Sequence, residues 1–168
     1  MATSMEIRDA GEADLPGLLA IYNDVIATST AIYSYVPTTL EERTSWWRTR
    51  TATGYPVLVA VDATGVLGFS TFGDFRAWPG YRFTVEHSVH VRADTRGRGI
   101  GKELVKALFP RAAASSKHVM IAGVDAANEA SIRFHEGLGF QKCGHLREVG
   151  HKFERWLDLV FLQRLIDP

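Results

Sequence analysis

An alternating strand that runs through a glycine- and arginine-rich turn straight into a helix constrains this chain more than any other stretch. Phe83, Val85, His87, Val89 and Val91 fall on one face of an extended segment, and Thr84, Glu86, Ser88 and His90 on the other. A short polar turn then leads to Arg96, Gly97, Arg98, Gly99, Ile100 and Gly101, and these enter a helical pattern that begins at Lys102. Glycines let such a turn take positive φ and bring its backbone close to a ligand. The unpaired N–H groups of the helix's first turn, at the positive end of its dipole, face any anion placed there. Arg96, Arg98 and Lys102 add mobile positive charge. The local chemistry is that of a phosphate or pyrophosphate cradle. It is not a Walker loop, because Gly101 and Lys102 are followed by Glu103. Nor is it a dinucleotide fingerprint, because the third glycine comes one position early.

That anion site has to be local. Nineteen basic and nineteen acidic residues leave no net charge, so nothing global favours nucleic acid or an anionic membrane. A length of 168 residues suits one domain spanning 1–168 with its own core. The single cysteine, Cys143, excludes an internal disulfide and fits a reducing, cytoplasmic setting; it is expected to be a packed thiol. No stretch approaches the ~18 apolar residues that a membrane span requires.

The remaining elements follow in order. Met5, Glu6, Ile7 and Arg8 suggest a short strand. Asp14 is a candidate cap for a helix with Leu15, Leu18, Leu19, Tyr22, Val25 and Ile26 on its apolar stripe. Thr39 and Glu42 form a capping-box pattern for a second helix, whose Trp46 and Trp47 are expected to divide between core and surface. Residues 56–61 and 66–75 read as a hairpin around Asp62, Ala63, Thr64 and Gly65. Pro110 is expected to kink or restart the helix after the cradle. Residues 118–124 read as a strand buried on both faces. A helix follows from Asn128 to about Leu138, stopped by Gly139, and two last strands are expected to turn around Gly150. The order β-α-α-β-β-β-α-β-α-β-β predicts an α/β (α+β) fold: about seven strands in a mixed, mostly antiparallel sheet, flanked by about four helices.

The cradle resembles the Arg-x-x-Gly-x-Gly acetyl-CoA signature of the GNAT N-acetyltransferase superfamily. Asn128, Ser131, Phe134, His135, Gly139 and Phe140 resemble its second signature, Asn-x-x-Ser followed by Tyr-x-x-x-Gly-Phe, and the element order fits that fold along essentially the whole chain. Within the superfamily the chain is most similar to the phosphinothricin and methionine sulfoximine acetyltransferase group. That likeness is carried by Ile21–Tyr22–Asn23, Thr28–Ser29–Thr30, the strand from Phe83 to Val91, Ser131 to Glu136, and the tail with Gly144, Arg147, Gly150, Phe153, Trp156 and Asp158.

The resemblance implies acetyl-CoA as co-substrate and no metal. Backbone groups of Val89, His90 and Val91 would pair with the pantetheine arm, and amides of Arg96, Gly97, Arg98, Gly99, Ile100 and Gly101, beside the charge of Lys102, would hold the pyrophosphate. Asn128 and Ser131 would reach the same cofactor, although Asn128 also suits a plain helix N-cap. Glu86, the one charge within its strand, is the candidate general base; a desolvated carboxylate has a raised pKa. His135 stands where many of these enzymes have a tyrosine, either to protonate the leaving thiolate or only to orient the cofactor. Phe75, Arg76, Ala77, Glu86, His87, Ser88 and Tyr33 are expected around the acceptor, with Arg76 forming a bidentate pair with a carboxylate. The implied reaction is direct attack of a small amino-acid-like amine on the thioester, in a homodimer. A polyamine or protein amine as acceptor, or an idle acyl-CoA-binding module, are the alternatives. His87 and His90 point to opposite faces of a strand and cannot share a metal.

Overall fold

The computed structural model describes residues 4–167. Seven strands form one sheet: β1 (Glu6–Asp9), β2 (Val57–Asp62), β3 (Gly65–Asp74), β4 (Thr84–Val91), β5 (Val119–Asp125), β6 (Gln141–Lys152) and β7 (Arg155–Leu165). Their spatial order is β1-β2-β3-β4-β5-β7-β6, and every neighbouring pair is antiparallel except β4 and β5. Helices α1 (Leu15–Thr28), α2 (Leu40–Ala52), α3 (Ile100–Ala114) and α4 (Glu129–Glu136) complete the expected order. No described helix is long and apolar enough to cross a membrane.

Strand alternation distributes two cores across the sheet. On one face Leu58, Leu67, Phe72, Val85, Met120, Ala122 and Leu162 pack with Leu104, Val105 and Leu108 of α3 and Ile132 of α4. On the other face Val57, Val59 and Phe69 pack with Leu18 and Ile21 of α1, with Trp46 and Trp47 of α2 alongside. Both tryptophans therefore pack inward. Trp47 donates Nε1–H to the Ala10 carbonyl at 3.2 Å, and the Arg43 guanidinium lies 3.9 Å from the Trp46 ring. The core thus takes both members of the pair, and not one as the sequence suggests.

Thr39 and Glu42 close the capping box, at 3.2 and 2.8 Å. Asp14 does not cap α1. Arg8 holds its carboxylate at 2.7 and 3.0 Å and the Gly11 amide at 2.8 Å, and the bond to Arg8 keeps its pKa below the usual range. Nor does Pro110 restart α3, which runs on to Ala114 because Leu104, Leu108 and Ala112 keep one continuous buried stripe.

The C-terminal hairpin departs from the sequence reading at two points. Its turn is Phe153–Glu154, both with positive φ, and not Gly150. Gly150 lies inside β6, paired with Leu157, where the Tyr33 ring approaches so closely that a Cβ would stand 2.4 Å from Cε2. Cys143 is exposed and not packed, because the register of β6 slips between Lys142 and Gly144 and carries the thiol outward.

Candidate active site

The parallel pairing of β4 with β5 lasts three residues: Thr84 opposite Val119, Val85 opposite Met120, and Glu86 opposite Ile121. Past Glu86 the edge of β4 that faces β5 has no partner strand among the described residues, while β3 continues to pair its other edge through Val91. The strands splay, and a cavity of about 150 Å³ opens between them and α4. His87, Ser88, Val89 and His90 line one side, Ala122, Gly123, Val124 and Asp125 the other, and Asn128, Ser131, Phe134 and His135 the end wall. A second extended chain has unsatisfied backbone groups to meet here.

The cradle lies at the end of the same strand. Gly97 and Gly99 have φ of +79° and +78°, and a Cβ on either would meet nothing within 4 Å, so the loop's surface is open to a ligand. The amide of Glu103 is the first of α3 to close on the loop, accepted by the Gly99 carbonyl at 3.2 Å. The amides of Ile100, Gly101 and Lys102 precede it and have no intrahelical acceptor. Arg96, Arg98 and Lys102 are exposed around them. These features fit a pyrophosphate, and the splay fits the arm that joins it to a thioester.

Asn128 caps α4, its Oδ1 accepting from the Ser131 amide at 3.1 Å, and both residues line the cavity. One turn on, His135 is buried. Its Nδ1 lies 2.7 Å from the Ser131 carbonyl and its Nε2 3.0 Å from Nε2 of His87. Burial, more than any charge, lowers the pKa of both rings, that of His87 to about 3.

The side expected to take the acceptor is the other face of β4. Glu86 and Ser88 point there, and strand alternation sends the His87 side chain to the opposite face, against His135 and Phe140. The structure therefore separates His87 from the acceptor residues it was expected to join. The Glu86 carboxylate leans over Gly123, where an added Cβ would lie 3.1 Å from Oε1. No described residue gives it a hydrogen bond, and burial alone raises its pKa. Phe161 stands beside Gly123 and stacks edge-on with Phe75 at 6.0 Å, and the Arg76 guanidinium lies 5.4 Å from the Phe75 ring. Arg76 and Ala77 are exposed at the rim. From the loop after α1, Thr30 donates to Asp125 at 2.5 Å, and burial with the nearby Asp125 and Asp158 raises the Tyr33 phenol.

Sequence reasoning passed over Gly123 and Asp125. The signal was present: Ile121, Gly123 and Asp125 recur every second residue on the face of Glu86, and a glycine inside an apolar strand marks a close approach. Gly123→Ala is expected to fold with a melting temperature close to that of the parent, since alanine is no worse in a strand than glycine. It should lose roughly tenfold in kcat as the Glu86 carboxylate is displaced by a few tenths of an ångström. Steady-state kinetics beside a thermal melt checks this; unchanged kcat would show that the carboxylate's position is immaterial. Among the described residues no cluster of three or more His, Cys, Asp or Glu is placed to hold a metal.

Known proteins share this fold. The family model described as an acetyltransferase (GNAT) domain matches residues 5–141. The L-methionine sulfoximine/L-methionine sulfone acetyltransferase of Pseudomonas aeruginosa is 53% identical over 98% of this chain and 96% of its own. A solved N-acetyltransferase from Staphylococcus aureus superposes with a TM-score of 0.96 at 44% identity, covering 98% of this chain and 100% of its own. A phosphinothricin acetyltransferase from Sinorhizobium meliloti, solved in complex with acetyl-CoA, gives a TM-score of 0.92 at 37% identity, over 96% and 88%.

Proposed function

Because the chain belongs to the GNAT acetyltransferase family, we propose that it acetylates the primary amine of a small amino-acid-like acceptor of the methionine sulfoximine, methionine sulfone or phosphinothricin type. It is an N-acetyltransferase, and acetyl-CoA is its acyl donor. One observation carries the site assignment: a partly buried carboxylate without a hydrogen-bond partner among the described residues, Glu86, at the point where the β4–β5 pairing ends and the cleft opens.

In this reading Val89, His90 and Val91 offer backbone groups to the pantetheine arm, and the amides and cations of Arg96, Gly97, Arg98, Gly99, Ile100, Gly101 and Lys102 hold the pyrophosphate. Asn128 and Ser131 close the end of the cleft. Bound acetyl-CoA supplies an activated acyl carbon. Glu86 takes a proton from the acceptor's ammonium, directly or through one water, leaving the lone pair free for attack. Phe75, Ala77, Ser88 and Tyr33 shape the acceptor's seat, and Arg76 reaches its carboxylate. His135 orients the thioester end against α4. We extend the reading to a single cytoplasmic domain over 1–168 acting as a homodimer. The edge strand β6 supports the last point, since it exposes Leu146 and Val149 beside Phe153 and Trp156.

Release of free CoA thiol, with phosphinothricin, methionine sulfoximine, spermidine and a lysine peptide as separate acceptors, tests the proposal. Turnover is expected with the two amino-acid analogues. Arg76→Ala should raise their KM by about 10- to 100-fold, the worth of a charged hydrogen-bonded contact, and change kcat less. Turnover confined to spermidine or peptide would overturn the acceptor class, and CoA binding without turnover on any amine would leave an acyl-CoA sensor.

A further inference from the structure

We propose that His87 is a positioning residue of the acyl-transfer cleft: it donates its Nε2–H to Nε2 of His135 and locks that ring in the tautomer that presents no N–H to the leaving sulfur. The proposal rests on the acetyltransferase reading but adds a residue, and a proton assignment, which that reading lacks.

The assignment follows from what each partner can do. A backbone carbonyl only accepts, so the 2.7 Å contact with Ser131 requires the proton of His135 on Nδ1. A neutral imidazole carries one N–H, so Nε2 of His135 is then a bare acceptor. The group 3.0 Å from it is Nε2 of His87, which must therefore donate. His87 is left with a bare Nδ1, and that atom is indeed buried without a partner. The opposite polarity needs His135 doubly protonated, which burial among aromatic rings disfavours. Both rings are at least nine-tenths buried, at 7% and 4% exposure, among Phe134 and Phe140. His135 and His90 are the titratable groups acting on His87, and no carboxylate acts on either ring to favour an imidazolium.

As the amine's lone pair forms the N–C bond, the C–S bond breaks and its electron pair leaves on sulfur. An ammonium acceptor gives up two protons in all: one ends on sulfur as the thiol and the other in solvent. With both nitrogens of His135 engaged, the sulfur's proton comes from water or from Glu86 once it is protonated. His135 serves as a fixed neutral wall.

Long-range ¹H–¹⁵N spectra of the histidine side chains, recorded with and without bound CoA, test this apart from activity. The expected pattern is an Nδ1–H tautomer for His135 and an Nε2–H tautomer for His87, both unchanged from pH 8 to pH 5. His87→Phe removes the donor, so His135 should begin to titrate in that range, and kcat should fall roughly tenfold with a new ionisation in its pH profile. His87→Gln keeps an N–H donor and should restore most of the wild-type spectrum and profile. An Nε2–H or doubly protonated His135 in the wild type at pH 7 would overturn the proposal, as would a His87→Phe enzyme with the parent's spectrum and profile. If His87→Phe does not fold, the wild-type tautomers decide alone. Correct tautomers in a protein that acetylates nothing would refute the function and leave the pair standing.

Discussion

Glu86→Gln is expected to lower kcat by about 10²- to 10⁴-fold, the usual worth of a positioned general base, while acetyl-CoA binding is retained. Glutamine keeps the shape that leans over Gly123 and removes only the basic oxygen. The carboxylate titrates above the ordinary range because burial disfavours its charge. The acid limb of kcat/KM in the wild type should therefore sit higher than an exposed glutamate would place it, with activity falling as pH drops through that value and the base becomes protonated. In Glu86→Gln that limb should vanish. The same shift bears on stability. A folded pKa raised above the unfolded one contributes stability at low pH that is lost as pH rises through the folded value. At pH 7 to 8 the ionised carboxylate is therefore a burden on the fold, and Glu86→Gln should melt no lower than the parent. A fall in kcat below tenfold, or an acid limb that survives the substitution, would show that another group takes the proton.

The strand, the glycine turn and the helix after it were legible in the sequence because they rest on local rules: period-two alternation, glycines where φ must be positive, and a helix that begins at once. Seven strands and four helices followed for the same reason. What escaped was set by contacts between residues far apart in the chain. Gly150 looked like a turn, since a glycine near a hairpin usually is one, yet its lack of a side chain makes room for Tyr33, which only the folded chain brings there. The turn fell instead to Phe153 and Glu154, a pair with no turn signature of its own. His87 was grouped with Glu86 because they adjoin in sequence, although strand alternation already separated them. Its partnership with His135, 48 positions away, leaves no trace in composition or spacing.

Lys152 is the extreme case of this kind, and its removal should damage the fold most. In the sequence it is one lysine in a charged tail. In the structure it is 2% exposed, and Nζ donates to the carbonyls of Ile26, Ser29 and Ile32, each at 2.7 Å. All three ammonium protons are used. Ile26 is in the last turn of α1, so its carbonyl has no intrahelical donor and lies at the negative end of the helix dipole. The other two belong to the segment that carries Thr30, bonded to Asp125, and Tyr33, packed on Gly150. One buried cation thus ties α1 and the loop after it, the proposed acceptor loop, to the end of β6. Lys152→Met fills much the same volume and leaves the carbonyls without their donor. The loss, offset in part by no longer burying a charge, should be about 3 kcal/mol. For a domain of this size that lowers the melting temperature by roughly 6–12 °C. Lys152→Arg should not rescue it, because a planar fork cannot reproduce a tripod of donors. Catalysis should suffer on one side only, with KM rising for the acceptor and not for acetyl-CoA, whose proposed cradle lies on loop and helix residues that Lys152 does not touch. A melting temperature within 2 °C of the parent would refute the anchoring role, and equal rises in both KM values would show that the lysine supports the sheet as a whole and not the acceptor loop.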